Sequence, residues 1–285
     1  MKIFIVGNKG QLGTDCSQVL ADYEVFGADL PELDASDRGQ CREALDACRP
    51  DVVVNCAAFT AVDVCETEKS AAWKANVDAP RWMAEWCRDH SAFLVHVSTD
   101  YVFDGERELY QPYVESDETG PVSEYGRSKL AGEKAVADVF DHFAVLRTAW
   151  LYGVSGNNFL YTMLNLSREG RSLKVVNDQF GSPTWSHTLA RQIRLVMEKK
   201  ETGLFHATSE GVCSWYDLAC TFLELMEQRY DITPCRTMEY PTPAKRPINS
   251  ILENERLKKQ GVNLFCNWKE ELASFVETLK DGKGE

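Results

Sequence analysis

The stretch "IFIVGNKGQLG", Ile3 to Gly13, reads as an apolar strand, a glycine turn and the first turn of a helix. "KIFIV", Lys2 to Val6, has no polar alternation, as in a strand covered on both faces. "QLGTDCSQVLA" then changes to helical spacing. Each glycine of the turn answers a different need. Gly7 lets the chain bend sharply, Gly10 omits a Cβ where a pyrophosphate would approach the backbone, and Gly13 lets the helix sit close on the sheet. The helix N-terminus then offers free N–H groups and a partial positive charge to an anion.

Outward from this unit the pattern repeats. "EVFGA" is a second strand, followed by Asp29. At the end of a second strand a carboxylate can accept hydrogen bonds from a ribose. Asp29 also precedes Leu30-Pro31, where an ordinary turn would use it. A free 2'-hydroxyl suits this carboxylate better than a 2'-phosphate. Ser36 is expected to cap a helix running through Ala47. "DVVVN" is a third strand, and one long helix is expected over roughly Lys69 to Asp89. "AFLVHVS" and "FAVLRTA" are the fourth and fifth strands, with a helix beginning near Ser123 between them. Repeated βα units predict right-handed crossovers and an α/β, Rossmann-type, doubly wound parallel sheet. After about Trp150 the rhythm loosens into polar loops, the short strand "SLKVV", a further sheet strand "GLFHATS", and helices broken by "ITPCRTMEYPTPAKRP". The expected organisation is a dinucleotide-binding domain over 1–150 with a returning segment near 184–208. A smaller, discontinuous lobe over 151–285 would hold the substrate. "KDGKGE" at the end reads as a frayed tail.

The 285 residues are 44% hydrophobic, enough for a sizeable core, and the net charge is −13. Without a basic footprint, no nucleic-acid partner is expected. The ten cysteines show no CxxC or Cys/His cluster. They read as free thiols of a reducing cytoplasm, with no structural metal. No apolar run reaches the length of a membrane span.

"VHVSTDYVFDG" closes the fourth strand with Thr99 and Asp100, on the side where open parallel sheets bind ligands. The next helix carries Tyr125 and Lys129, one turn apart on one face. Taken alone, the pair fits either a half-buried phenol with a solvated lysine or a proton donor beside a cation. A phenol titrates near pH ~10. A cation about 4 Å away, at an effective dielectric near 20, favours phenolate by roughly 4 kcal/mol. That sets an upper bound of roughly three pKa units downward. With Thr99 orienting the same oxygen, the set has what carbonyl reduction by a nicotinamide requires, and no metal.

Together with "VVVNCAAFTAVDVCETE", "YGRSKLAGE", "RTAWLYG", "VNDQFGSPT" and "YPTPAKRP", these residues resemble the extended short-chain dehydrogenase/reductase family, and within it the dTDP-4-dehydrorhamnose reductases. The resemblance spans nearly the whole chain. It implies NADH- or NADPH-dependent reduction of the 4-keto group of dTDP-4-dehydro-L-rhamnose to dTDP-L-rhamnose. It makes Thr99, Tyr125 and Lys129 catalytic. Around the cofactor it places Gly7, Gly10, Gln11, Leu12, Gly13, Asp29, Asp34, Ala35, Ala58, Phe59, Thr60 and Val97, with Tyr125 and Lys129. Toward the nucleotide-sugar it places Thr99, Asp100, Trp150, Asn158, Gln179 and Arg246, with Lys245 beside the last. Trp150 fits a core aromatic equally well, and "YPTPAKRP" also fits a solvated prolyl turn. Some members dimerise around magnesium held by glutamates. Here Asp15 and His187 stand at two of those places and suit Mg²⁺ poorly, so a monomer or weak homodimer without metal is expected. The alternatives are an epimerase or dehydratase of the same family, or a non-catalytic NAD(P)-binding regulatory subunit. An epimerase would retain NAD⁺ through purification, and a regulatory subunit would hold a stoichiometric partner and oxidise no NADH.

Overall fold

The computed structural model describes residues 1–281. Its centre is a six-stranded sheet made of β1 (Lys2–Val6), β2 (Glu24–Ala28), β3 (Val52–Asn55), β4 (Phe93–Thr99), β5 (Phe143–Thr148) and β6 (Gly203–His206). The spatial order is β6-β5-β4-β3-β1-β2, and every pairing is parallel. The chain leaves β1 toward β2 and then returns to β3 on the other side. That reversal opens a crevice above the C-terminal ends of β1 and β3.

The strands are continuously apolar because both faces are covered. Along β1, Ile3 and Ile5 enter one core with α1 (Gln11–Val19) and α6 (Ser186–Lys199), while Phe4 and Val6 enter the other. The second face carries α2 (Arg38–Cys48), α3 (Ala79–His90) and α4 (Glu124–Ala137). The cap of α2 is Asp37, one residue past the expected Ser36, and its carboxylate accepts the Gln40 N–H at 3.0 Å. The long helix expected from Lys69 is interrupted. Residues Lys69–Trp73 lead into a π-helical turn, Lys74–Asp78, before α3 begins. Asn76 at the centre of that turn is fully buried.

Three further helices, α5 (Phe159–Arg168), α7 (Trp215–Leu225) and α8 (Trp268–Asp281), share a separate apolar cluster. The "SLKVV" strand does not join the main sheet. It pairs in parallel with Asp231–Cys235, in a region expected to be helical or loop. Lys280 and Asp281 of the expected tail belong to α8, and residues 282–285 lie outside the described residues. Among the described residues, no helix is long and apolar enough to cross a membrane.

The opening turn controls how closely α1 sits on the sheet. Gly7 has φ +79°, a region other residues rarely adopt. A Cβ on Gly13 would lie 2.0 Å from the Gly7 carbonyl oxygen and 2.7 Å from Asn8 Cα. Both obstacles are backbone and cannot rotate away. Gly13→Ala should therefore cost about 1–3 kcal/mol, seen as a fall of several degrees in thermal midpoint by circular dichroism.

Candidate active site

A cleft of about 1150 Å³ runs along the C-terminal ends of β1, β3 and β4 and under α5 and α7. It is larger than the roughly 300–1,000 Å³ of a typical single-ligand pocket. At one end, Gly10 caps α1 without a side-chain bond, and the first turn of that helix carries no acidic residue. A Cβ on Gly10 would meet nothing closer than the Gly7 oxygen at 3.3 Å. That contact is tight but slight compared with the one at Gly13, and the missing methyl also keeps the approach to the Gln11 and Leu12 N–H groups open. Asp29 is held by the N–H groups of Lys9 at 3.2 Å and Leu30 at 2.8 Å. Asp34 accepts from the Ser36 N–H and hydroxyl at 2.9 and 2.7 Å. An anion cradle with a fixed carboxylate about twenty residues on fits a dinucleotide.

The wall opposite Asp29 is set by Asn76, which the sequence reading did not single out. Its amide accepts the Phe59 N–H at 2.9 Å, and donates to the Phe59 carbonyl at 3.2 Å and the Ser128 hydroxyl at 2.9 Å. One side chain thereby ties the Ala58–Thr60 loop to α4. An asparagine inside a helical pattern was the available signal, since its amide competes for backbone bonds.

Ser123 starts α4 by accepting the Gly126 N–H at 3.1 Å. This places Tyr125 and Lys129 on the buried face. The Tyr125 phenol lies near Thr99, and both line the cleft. The Thr99 hydroxyl donates to Asp100 at 2.9 Å and accepts the Tyr101 N–H at 3.2 Å. Lys129 donates to the Val97 carbonyl at 2.7 Å. Beneath it, Glu133 accepts from Ser98 at 2.5 Å and from Arg147 at 2.9 and 2.7 Å.

The expected downward pull of Lys129 on the phenol is not what this environment produces. Burial pushes Tyr125 well above its ordinary value, and the nearby Thr99 hydroxyl opposes this only in part. The ammonium is turned to Val97 and is itself pushed down to about 8 by burial, with Glu133 opposing. At neutral pH the site therefore presents a protonated phenol and a mostly charged lysine.

Every residue expected around a cofactor lines the cleft, as do Thr99, Asp100 and Trp150. Trp150 stacks on Trp215 at 3.7 Å and 8°, and its indole donates to Ser250 at 3.1 Å. Three expected substrate contacts lie outside the lining. Asn158 caps α5 through the Tyr161 N–H and donates to Gln11 Oε1 and the Gly153 carbonyl, so its polar atoms are already engaged. Gln179 donates to Thr237 at 3.1 Å. Arg246 is paired with Asp63 at 2.7 Å, and Lys245 with Glu106 at 3.1 Å. Asp15 accepts from Ser186 across the α1–α6 contact, and burial raises its carboxyl. Among the described residues, no three side chains of metal-ligating type gather.

Asp100 is buried, and this pushes its carboxyl up to about 6 despite the bond from Thr99. The native state thus holds this proton more tightly than the unfolded chain, whose aspartates titrate near ~3.9. The associated stability is complete below about pH 4 and is lost as pH rises through 6. Asp100→Asn removes this dependence. Relative to wild type it should gain up to roughly 3 kcal/mol between pH 4 and pH 7.5, as read by denaturant unfolding at the two pH values.

The model of the RmlD substrate binding domain family matches residues 1–281. A dTDP-4-dehydrorhamnose reductase of Burkholderia thailandensis is 39% identical over 303 aligned positions, covering 98% of this chain and 99% of that protein. The crystal structure of a dTDP-4-dehydrorhamnose reductase from Clostridium acetobutylicum superposes with a TM-score of 0.95 at 41% identity, covering 98% of this chain and 100% of that one. That of the Bacillus anthracis dTDP-4-dehydrorhamnose reductase in complex with NADP gives 0.92 at 34% identity, with 96% and 98% covered. The chain belongs to the RmlD family, that of the dTDP-4-dehydrorhamnose reductases within the extended short-chain dehydrogenase/reductases.

Proposed function

We propose that this protein reduces the 4-keto group of dTDP-4-dehydro-L-rhamnose to dTDP-L-rhamnose with NADH or NADPH, acting in the cytoplasm as a monomer or weak homodimer. The observation that carries the reading is the meeting of the Tyr125 phenol and Thr99 hydroxyl in the same cleft as the glycine turn and Asp29. Ten free thiols suit a reducing compartment.

A nicotinamide dinucleotide would be held by the glycine turn, Asp29 and the Ala58–Thr60 loop, and would supply the hydride for the carbonyl carbon. The chain's own residues manage the oxygen. Tyr125, protonated at neutral pH, gives its proton to the carbonyl oxygen as negative charge develops there. Thr99 hydrogen-bonds the same region and orients the substrate. The Lys129 ammonium, anchored on Val97 and lining the cleft, offers its remaining donors to the dinucleotide, and solvent restores the phenol proton. Asp100 and the Trp150 ring face the sugar, the carboxylate for hydroxyls and the indole for an apolar ring face.

Tyr125→Phe should lower turnover by about 100-fold or more, with NADH affinity changed by less than about twofold. Loss of NADH absorbance with dTDP-4-dehydrorhamnose, repeated with NADPH, measures the first, and fluorescence titration the second. Full turnover in that variant refutes the proton-donor role. In the wild type, kcat/KM should decline as pH passes about 8, where Lys129 loses its charge.

A further inference from the structure

Arg246 and Asp63 tie the proline-rich segment to the chain just after the Ala58–Thr60 loop, beside the cleft and outside its lining. Asp63 follows the Ala58–Thr60 loop, in the short helix Val62–Cys65. Arg246 lies in the proline-rich segment that precedes Asn249–Ser250, the strand carrying the Trp150 partner Ser250. The guanidinium meets the carboxylate end-on, Nη1 to Oδ1 at 2.8 Å and Nη2 to Oδ2 at 2.7 Å. Nη1 also donates to the Ala244 carbonyl at 3.0 Å, and the Ala244 N–H returns to Asp63 Oδ1 at 3.0 Å. Three donors of the guanidinium are therefore used. The edge formed by Nε and the second Nη2 hydrogen has no protein acceptor among the described residues. Arg246 acts electrostatically on Tyr101, whose ring packs edge-on against Tyr125 at 5.5 Å and which lines the cleft. A two-donor edge held beside a cleft fits a pair of phosphate oxygens.

We propose that Asp63 is a positioning residue: it fixes the Arg246 guanidinium so that its free edge takes the diphosphate of the nucleotide-sugar. The proposal rests on the reductase reading above. In a chain of net charge −13, a cation that is fixed rather than wandering among carboxylates is what a dianion needs. The carboxylate accepts two hydrogen bonds from the arginine and one from the backbone, so neutralising it frees the side chain to rotate while Asn still accepts the Ala244 N–H.

The test is steady-state kinetics and dTDP binding for Asp63→Asn, Arg246→Lys and the double variant. Asp63→Asn should raise KM for the nucleotide-sugar and weaken dTDP binding about 5- to 10-fold. Its kcat should stay within about twofold and its NADH affinity should not change, a split that general loosening of the fold would not produce. The double variant should bind dTDP no more weakly than Arg246→Lys alone, because the carboxylate acts only through the arginine. An unchanged KM in Asp63→Asn, or losses that multiply in the double variant, overturns the proposal and leaves the reductase reading intact. A wild type that binds NADH yet turns over no keto-sugar nucleotide overturns both.

Discussion

An ammonium group at 2% exposure, packed against the end of a parallel sheet, is the constraint around which this structure is organised. Taking Lys129 out of water is costly, and a lone carbonyl does not offset that. The compensation is built in layers. Val97 supplies the carbonyl from within β4. Glu133, one helical turn on, supplies negative charge and is itself locked by Ser98 from β4 and Arg147 from β5. Helix α4 is thereby registered against two adjacent strands, and Tyr125 inherits that register. The phenol comes to lie near Thr99 because the lysine one turn away is anchored on β4.

Much of the nucleotide half was legible because it depends on backbone. A glycine turn after a continuous apolar run specifies strand, bend and helix without reference to distant parts of the chain. Repeated βα units specify the sheet in the same way. The part of the chain after Trp150 was less legible because its polar side chains are committed to partners remote in sequence. Asn158 looked free in a loop, yet it caps a helix and reaches Gln11, 147 residues away. Arg246 looked like a solvated charge or an anion site, yet its carboxylate partner lies 183 residues back. No local pattern encodes such pairings. The π-helical turn at Lys74–Asp78 is a milder case: the apolar spacing is helical throughout, and only the asparagine within it signals a break.

The electrostatic expectation for Tyr125 erred for a related reason. Proximity along a helix does not ensure proximity of charged ends. Four-residue spacing puts two side chains on one face, but it does not say which way a long, flexible lysine turns. Once the ammonium turns to a carbonyl, burial governs the phenol. The outcome still serves proton donation, since a donor must hold its proton until negative charge appears nearby.

The indoles of Trp150 and Trp215 are stacked 3.7 Å apart and nearly parallel, 65 positions apart in sequence, on the cleft wall. Two identical chromophores in such contact share their electronic excitation, so the molecule carries an optical reporter at the place where a sugar would sit. Their combined emission and circular-dichroism couplet depend on ring overlap. A ligand sliding against Trp150 alters that overlap, and arrival of cargo becomes visible as a change of light without any label.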